Sequence, residues 1–190
     1  MRLATDFDGT IADTNRAKSG WILNNLGMVV EPWQCDRTSC VPIIGAEAYE
    51  EMSAYVYERT STLGTAEVPG ASAALLQLSA RAELHVVTAR PPRRMEFARE
   101  WFHQNGILHL IKEFHSSKDT SKEEICQKIG ASVLIDDDLR HLHGVRLAGL
   151  RRILLQDGSS DSTRSAGEVM IYRSWPEVVA ALETADVGHS

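Results

Sequence analysis

A three-layer α/β architecture, with a parallel sheet between helices on both faces, is the fold class this 190-residue sequence predicts. Two observations lead there: short, continuous apolar runs bounded by turn residues, and helical patterns filling most of the intervals between them. Continuous rather than alternating runs mark strands buried on both faces, and parallel strands of that kind are joined through helices.

Residues 3–7 form the first run, and alternation along an extended strand sends Asp6 and Asp8 to one side and Phe7 to the other. Residues 15–67 follow without a convincing strand; residues 21–26 read as helical, and Tyr49, Met52 and Val56 fall on one face of another helix. This interval is expected to be a small helical cap inserted after the first strand, leaving residues 1–14 and 68–190 as the core domain. A helix begins near Ala71, and the second run covers residues 84–88. Pro91 and Pro92 suit the start of a helix with the stripe Met95, Ala98, Trp101 and Phe102, ended by Gly106. The third run, residues 111–115, precedes a helix opened by Ser121 and Glu124 as a capping box and closed by Gly130. Runs at 133–135 and 153–156 frame a helix expected over residues 139–148. Residues 157–167, rich in Ser, Asp and Gly, read as a loop, Trp175-Pro176 as the start of the last helix, and residues 186–190 as a frayed tail. The result is a Rossmann-like sheet with a cap.

Composition excludes several functions. A chain that is 43% hydrophobic at this length holds one well-buried core and a modest insertion. Its formal net charge of −6, with Lys and Arg scattered, provides no basic stripe for a nucleic-acid polymer. Cys35, Cys40 and Cys126 lack CxxC or finger spacing, so neither a disulfide framework nor a cysteine zinc site is encoded. Without the parts of a signal peptide at residues 1–7, or an apolar stretch of bilayer length, the expectation is a cytoplasmic protein with no membrane partner. The oligomeric state is not legible.

The acidic turns carry the chemistry. Asp6 and Asp8 leave the first strand at the carboxyl edge of the sheet, where ligands bind in open α/β sheets, and Gly9 lets the chain turn there without a Cβ. Asp136, Asp137 and Asp138 follow the run at 133–135 and reach the same edge. Two such charges roughly 4 Å apart repel by about 4 kcal/mol at an effective dielectric near 20, so four converging carboxylates call for a cation. An all-oxygen set without His or Cys favours Mg²⁺ over zinc. The bland readings are an Asp-rich turn and an acidic helix start. Thr88 closes its strand with a hydroxyl suited to a phosphoryl oxygen, and Arg90 offers charge two residues on. Lys122, at the start of its capped helix, offers a balancing cation, with Lys118 as competitor.

Asp6-Phe7-Asp8-Gly9-Thr10, then Thr88 at a strand end, then Lys122, then Asp136-Asp137 after a strand, resembles the four motifs of the haloacid dehalogenase (HAD) superfamily over nearly the whole chain. Thr88-Ala89-Arg90-Pro91, the helix with Trp101 and Ile135-Asp136-Asp137 are most similar to its deoxyribonucleotidase-related branch. The resemblance implies a Mg²⁺-dependent phosphatase of a small phosphorylated metabolite, nucleotides among the candidates. Asp6 would attack phosphorus and become an aspartyl phosphate, and Asp8 would protonate the leaving oxygen and then activate water. Thr88 and Lys122 would hold the phosphoryl oxygens, with Gly9, Thr10 and Arg90 in the substrate site. Mg²⁺ would be held by Asp6, the backbone carbonyl of Asp8 and Asp137, with Asp136 bracing the site through water or Lys122. The Asp triple leaves two registers for the direct ligand, Asp136 or Asp137; the paired-acid form of the motif favours Asp137.

A phosphotransferase or phosphomutase would use the same residues and differ only in the acceptor. A receiver-type signalling module, which keeps phosphoaspartate as a switch, lacks an acid two residues after the nucleophile, where this chain has Asp8. A dehalogenase needs no proton for an oxygen leaving group, so Asp8 argues against it too. His141 and His143, two apart on a helix, do not share a face and read as structural. Trp21, Trp33, Tyr49 and Tyr55 read as cap packing, and Lys18 as a solvated helix position.

Overall fold

Strand β1 (Arg2–Thr5) can occupy the centre of a sheet because Leu3, Ala4 and Thr5 leave it no face for water. In the computed structural model, which describes residues 1–156 and 169–187, it does so. Strands β2 (Glu83–Thr88), β3 (Ile111–Ser116), β4 (Val133–Asp136), β5 (Arg151–Leu155) and β6 (Val169–Tyr172) complete an all-parallel sheet in the order β3-β2-β1-β4-β5-β6. Leu3 lies beside both Leu84 and Val133, so β1, β2 and β4 run in step to one carboxyl edge.

Strand alternation divides the core between two faces. Leu3, Phe7, Leu84 and Val86 pack with α5 (Ala71–Ser79), α6 (Pro92–Gln104) and α9 (Trp175–Val187). Ala4, Val87, Leu134 and Leu154 pack on the other face with α7 (Lys122–Ile129) and α8 (Leu139–His143). The α6 stripe buries Ala98, Trp101 and Phe102, and Trp101 meets Phe7 edge to face at 5.5 Å. Each such aromatic contributes roughly 1.5–3 kcal/mol by leaving water.

After β1 come α1 (Thr14–Leu26), α2 (Arg37–Ile44), α3 (Ala46–Val56) and α4 (Arg59–Gly64), with no strand among them. Ile22, Cys35, Cys40, Tyr49, Met52 and Val56 form a cluster separate from the two sheet faces. Tyr49, Met52 and Val56 share one buried face, as their spacing predicts. Where α4 meets α6, Arg59 pairs with Glu100 and Trp101 Nε1 donates to the Thr65 carbonyl at 2.8 Å.

Several boundaries differ from expectation. β1 stops at Thr5, before the acidic turn. α8 ends at His143 rather than near residue 148, because Arg152 from β5 donates to the carbonyls of Leu142 and Val145 and closes the helix there. β6 was not anticipated, since four residues at a sheet edge, of which Val169 alone is buried, are too few to show a period. α9 continues through Val187 into the expected tail, whose last three residues, like the expected loop at 157–167, lie outside the described residues. Among the described residues, no helix is long and apolar enough to cross a membrane.

Candidate active site

Where β1 and β4 end, Thr5 lies beside Ile135, and the Asp6 amide donates to the Ile135 carbonyl at 2.8 Å. The two acidic turns are thereby joined. Asp6, Asp136 and Asp137 each offer a carboxylate oxygen, all within 4.8 Å of one another. Lys122 enters from the first turn of α7 and donates from Nζ to Asp6 Oδ1 at 2.9 Å and Asp136 Oδ2 at 2.6 Å. Of the two candidate lysines, Lys122 is the one bonded to the acids.

One lysine shared between two buried acids serves them unequally. Burial and Lys122 pull Asp6 in opposite directions; with Asp136 and Asp8 adding to burial, its pKa is raised. Burial also presses Asp136 upward, but Lys122 and His141 together outweigh it and hold Asp136 low. Asp137 is pushed up to about 8 by burial first and then by Asp136 and Asp6, which Asn15 and Lys18 only partly relieve. Lys122 itself stays firmly charged, its attraction to both acids exceeding the cost of burial.

Asp137 is held by the loop after β1. Asn15 Nδ2 donates to its Oδ2 at 2.7 Å, and Thr10 Oγ1 to its Oδ1 at 3.4 Å. Gly9, at φ +76°, makes room: a Cβ there would lie 2.1 Å from Asp137 Oδ2. Trp175 Nε1 of α9 pins the same loop by donating to the Thr10 carbonyl at 2.8 Å. Gly9 and Thr10, expected to face substrate, therefore serve Asp137 in this structure.

The expected convergence of four carboxylates is a convergence of three. Asp8 is turned away to Arg90, whose Nε donates to Oδ2 at 2.8 Å and Nη2 to Oδ1 at 2.7 Å. Thr14 Oγ1 adds a bond to Oδ1 at 2.8 Å. Burial would raise the Asp8 carboxyl, but the charge and bonds of Arg90, helped by Thr14, hold it below its ordinary value. Arg90 was expected to face a phosphoryl group; instead its third nitrogen donates to Thr62 Oγ1 at 2.8 Å, and its guanidinium lies between the rings of Phe7 and Tyr57. Thr88 is buried at the end of β2, its hydroxyl accepting from the Arg90 amide at 3.2 Å.

A cavity of about 380 Å³ opens over these groups, lined by Asp6, Asp8, Thr88 and Asp137 on the sheet side and by Lys18 and Tyr57 from the helices opposite. Lys18 is not the solvated position expected, being only 5% exposed. Its Nζ lies 3.4 Å from the Cys35 carbonyl and 5.5 Å from the centre of the Tyr57 ring, and it remains charged despite burial because Tyr57 and Tyr49 favour the cation. Asn15 and Lys18 were missed, although their spacing of three along α1, directly after the acidic turn, is the signal that aims both at one place. His141 was read as structural alone; its Nδ1 lies 3.3 Å from Asp136 Oδ1, while His143 is exposed. Trp21 packs against the helical cluster and Tyr49 is buried in it, as expected of packing residues, whereas Tyr55 is 60% exposed.

Comparison with solved structures decides the fold. A haloacid dehalogenase-like family hydrolase, SP0104 from Streptococcus pneumoniae, superposes with a TM-score of 0.65 at 16% identity, over 95% of this chain and 97% of that one. This chain has the haloacid dehalogenase fold. YfnB of Bacillus subtilis bound to magnesium shares it (TM-score 0.63, 15% identity, 96% and 98% covered), as does a HAD family hydrolase from Deinococcus radiodurans R1 with bound phosphate and sodium (0.63, 13%, 97% and 96%). No protein-family model matches the sequence, and no curated protein does. At these identities the likeness is one of HAD backbone. The donor set at its carboxyl edge, acidic oxygens without a thiolate, suits a hard divalent cation.

Proposed function

We propose that this chain is a Mg²⁺-dependent phosphatase of small phosphorylated metabolites, with Asp6 as its nucleophile. The observation that carries the reading is a charge deficit: three carboxylates within 4.8 Å share one bonded lysine. At neutral pH all three acids can be ionised together only if a cation joins them. Asp6, Asp137 and the backbone carbonyl of Asp8 are the groups that would hold Mg²⁺, and Asp136 remains the partner of Lys122 and His141. Bound there, the ion supplies positive charge to the phosphoryl oxygens and lets Asp137 stay ionised. The magnesium in YfnB and the phosphate in the Deinococcus protein support this choice.

In the first half-reaction an Asp6 oxygen bonds to phosphorus while the ester oxygen leaves with a proton from Asp8. Water then attacks the aspartyl phosphate, Asp8 takes its proton, and Asp6 is regenerated. Lys122 balances the charge of Asp6 throughout, and the Thr88 hydroxyl lines the place of the phosphoryl group. Asp8 as held by Arg90 is ionised, the state the second step needs. For the first step, Arg90 exchanges its bonds to Asp8 for bonds to the phosphoryl oxygens, and burial then lifts Asp8 toward its protonated form. Residues 15–67 act as the cap, presenting Lys18 and Tyr57 to the rest of the substrate.

The test is turnover of p-nitrophenyl phosphate and of a panel of nucleoside monophosphates and sugar phosphates, with Mg²⁺ and with EDTA. Repeated release of inorganic phosphate to water is expected with Mg²⁺ and none with chelator, which also separates hydrolysis from transfer to a second substrate. Asp6→Asn should lower kcat by about 10⁴-fold or more while far-UV circular dichroism is unchanged. Equal rates in EDTA, or a fully active Asp6→Asn protein, would remove the reading.

A further inference from the structure

Strands β2 and β3 each carry a Glu-x-His sequence, Glu83-Leu84-His85 and Glu113-Phe114-His115, and their parallel register sets His85 beside Glu113 and Val87 beside His115. Residues two apart on a strand share a face. All four side chains therefore project on one side of the sheet, the side on which Val87 packs with residues of α7. His85 is 4% exposed; its Nδ1 lies 3.1 Å from His115 Nε2, and its Nε2 lies 3.1 Å from Glu83 Oε1. Glu113 Oε2 is 3.7 Å from the same His115 nitrogen. One ligand atom from each of His85, Glu113 and His115 falls within 4.8 Å of the others, and none of these residues lines the cavity over Asp6.

We infer that His85, His115 and Glu113 form a second metal site, for a transition-metal ion of the Zn²⁺ class, with Glu83 orienting His85 from behind. Two nitrogens bound to one tetrahedral Zn²⁺ at about 2.0–2.1 Å are about 3.3 Å apart. The 3.1 Å between His85 Nδ1 and His115 Nε2 is close to that separation. An imidazole that ligates a metal commonly gives its other N–H to a carboxylate, which fixes the tautomer. Glu83 stands in that place: in the tautomer with the proton on His85 Nε2, Glu83 Oε1 accepts a hydrogen bond from it and the Nδ1 lone pair is directed at His115. Without metal, His115 answers with its own Nε2–H. When the ion binds, that proton moves to His115 Nδ1 and the second lone pair becomes available, with no net release.

Glu113 is largely exposed and closes on the ion without disturbing the core. Imidazole nitrogens distinguish this cluster from the carboxylates around Lys122, since Mg²⁺ prefers oxygen and Zn²⁺ accepts both. An ion held here clamps β3, the last strand on its side of the described sheet, to β2.

The test is calorimetric titration of EDTA-stripped, dialysed protein with ZnCl₂ in excess MgCl₂, alongside long-range ¹H–¹⁵N NMR of the imidazoles. One Zn²⁺ per chain is expected at this site in the unmodified protein and in Asp137→Asn, with His85 Nδ1 and His115 Nε2 shifting as it fills. Glu83→Gln, which keeps every ligand, should weaken zinc binding about 10- to 100-fold, and His115→Gln should weaken it by more. Thermal unfolding in EDTA checks that each variant is folded; if His115→Gln is not, Glu83→Gln and the imidazole signals carry the test. Zinc affinity unchanged in the folded variants, or imidazole signals that do not move as zinc is added, would overturn the site.

Discussion

At position 9 the constraint is steric and comes from a carboxylate on another strand. A methyl group there would meet Asp137 Oδ2 at 2.1 Å and Asn15 Nδ2 at 2.5 Å, at a φ that already disfavours any side chain. Gly9→Ala should displace Asp137 from the cluster and lower kcat/KM about 10²-fold, the usual result of shifting a reacting group by an ångström. Mg²⁺ titration of activity checks this, since the apparent metal affinity should fall as well. Lys18 gives a different signature. It is buried against the cavity, and among the described residues it makes no ion pair, so an anionic oxygen of the substrate is its natural partner. A charged hydrogen bond of about 1.5–3 kcal/mol corresponds to a ten- to hundredfold rise in KM for Lys18→Met, with kcat and Tm little changed. Steady-state kinetics with the best substrate of the panel decides it.

Among the elements, α7 joins sequence to chemistry most directly. Ser121 Oγ accepts from the Glu124 amide at 3.2 Å, Glu124 Oε2 accepts from the Ser121 amide at 3.1 Å, and Lys122 is the first helical residue, enclosed within that box. The cap thus fixes where the lysine emerges. Ser121→Ala should cost about 1 kcal/mol, a fall in Tm of about 2–4 °C for a chain of this size, together with a loss of activity that an ordinary surface cap would not cause. Calorimetry and a pNPP assay on the same preparation test both halves. The capping box and Gly130 were legible because they depend on neighbours three or four residues away; the end of α8 was not, because Arg152 from another strand sets it.

For the whole molecule, the acidic cluster makes stability depend on pH. Asp137 is raised from 3.8 to about 8 in the folded chain, so the folded state binds its proton more tightly than the unfolded one. Its contribution to stability is therefore fully present below about pH 4 and is lost as pH rises through about 8. Asp6 shifts in the same direction, whereas Asp8 and Asp136, held low, have already ionised by pH 5 and add no slope above it. Scanning calorimetry in EDTA should show Tm falling from pH 5 to pH 8. Saturating Mg²⁺ should flatten that fall, and Asp137→Asn should remove most of it without metal.

The sequence by itself determined the layered parallel sheet, the helices that flank it and the meeting of two acidic turns at its carboxyl edge. Those features follow from signals within a few residues of one another: continuous apolar runs in β1 and β4, the Trp101 stripe of α6, and the boxes and turns that end each element. Only the tertiary structure decided that Arg90 belongs to Asp8, that Lys122 rather than Lys118 bridges the acids, that Lys18 is buried, and that His85 meets His115. Each of these is a choice of partner between segments far apart in the chain. It is settled by strand order, by register and by where α1 to α4 lie over the sheet edge, distances that no local periodicity encodes.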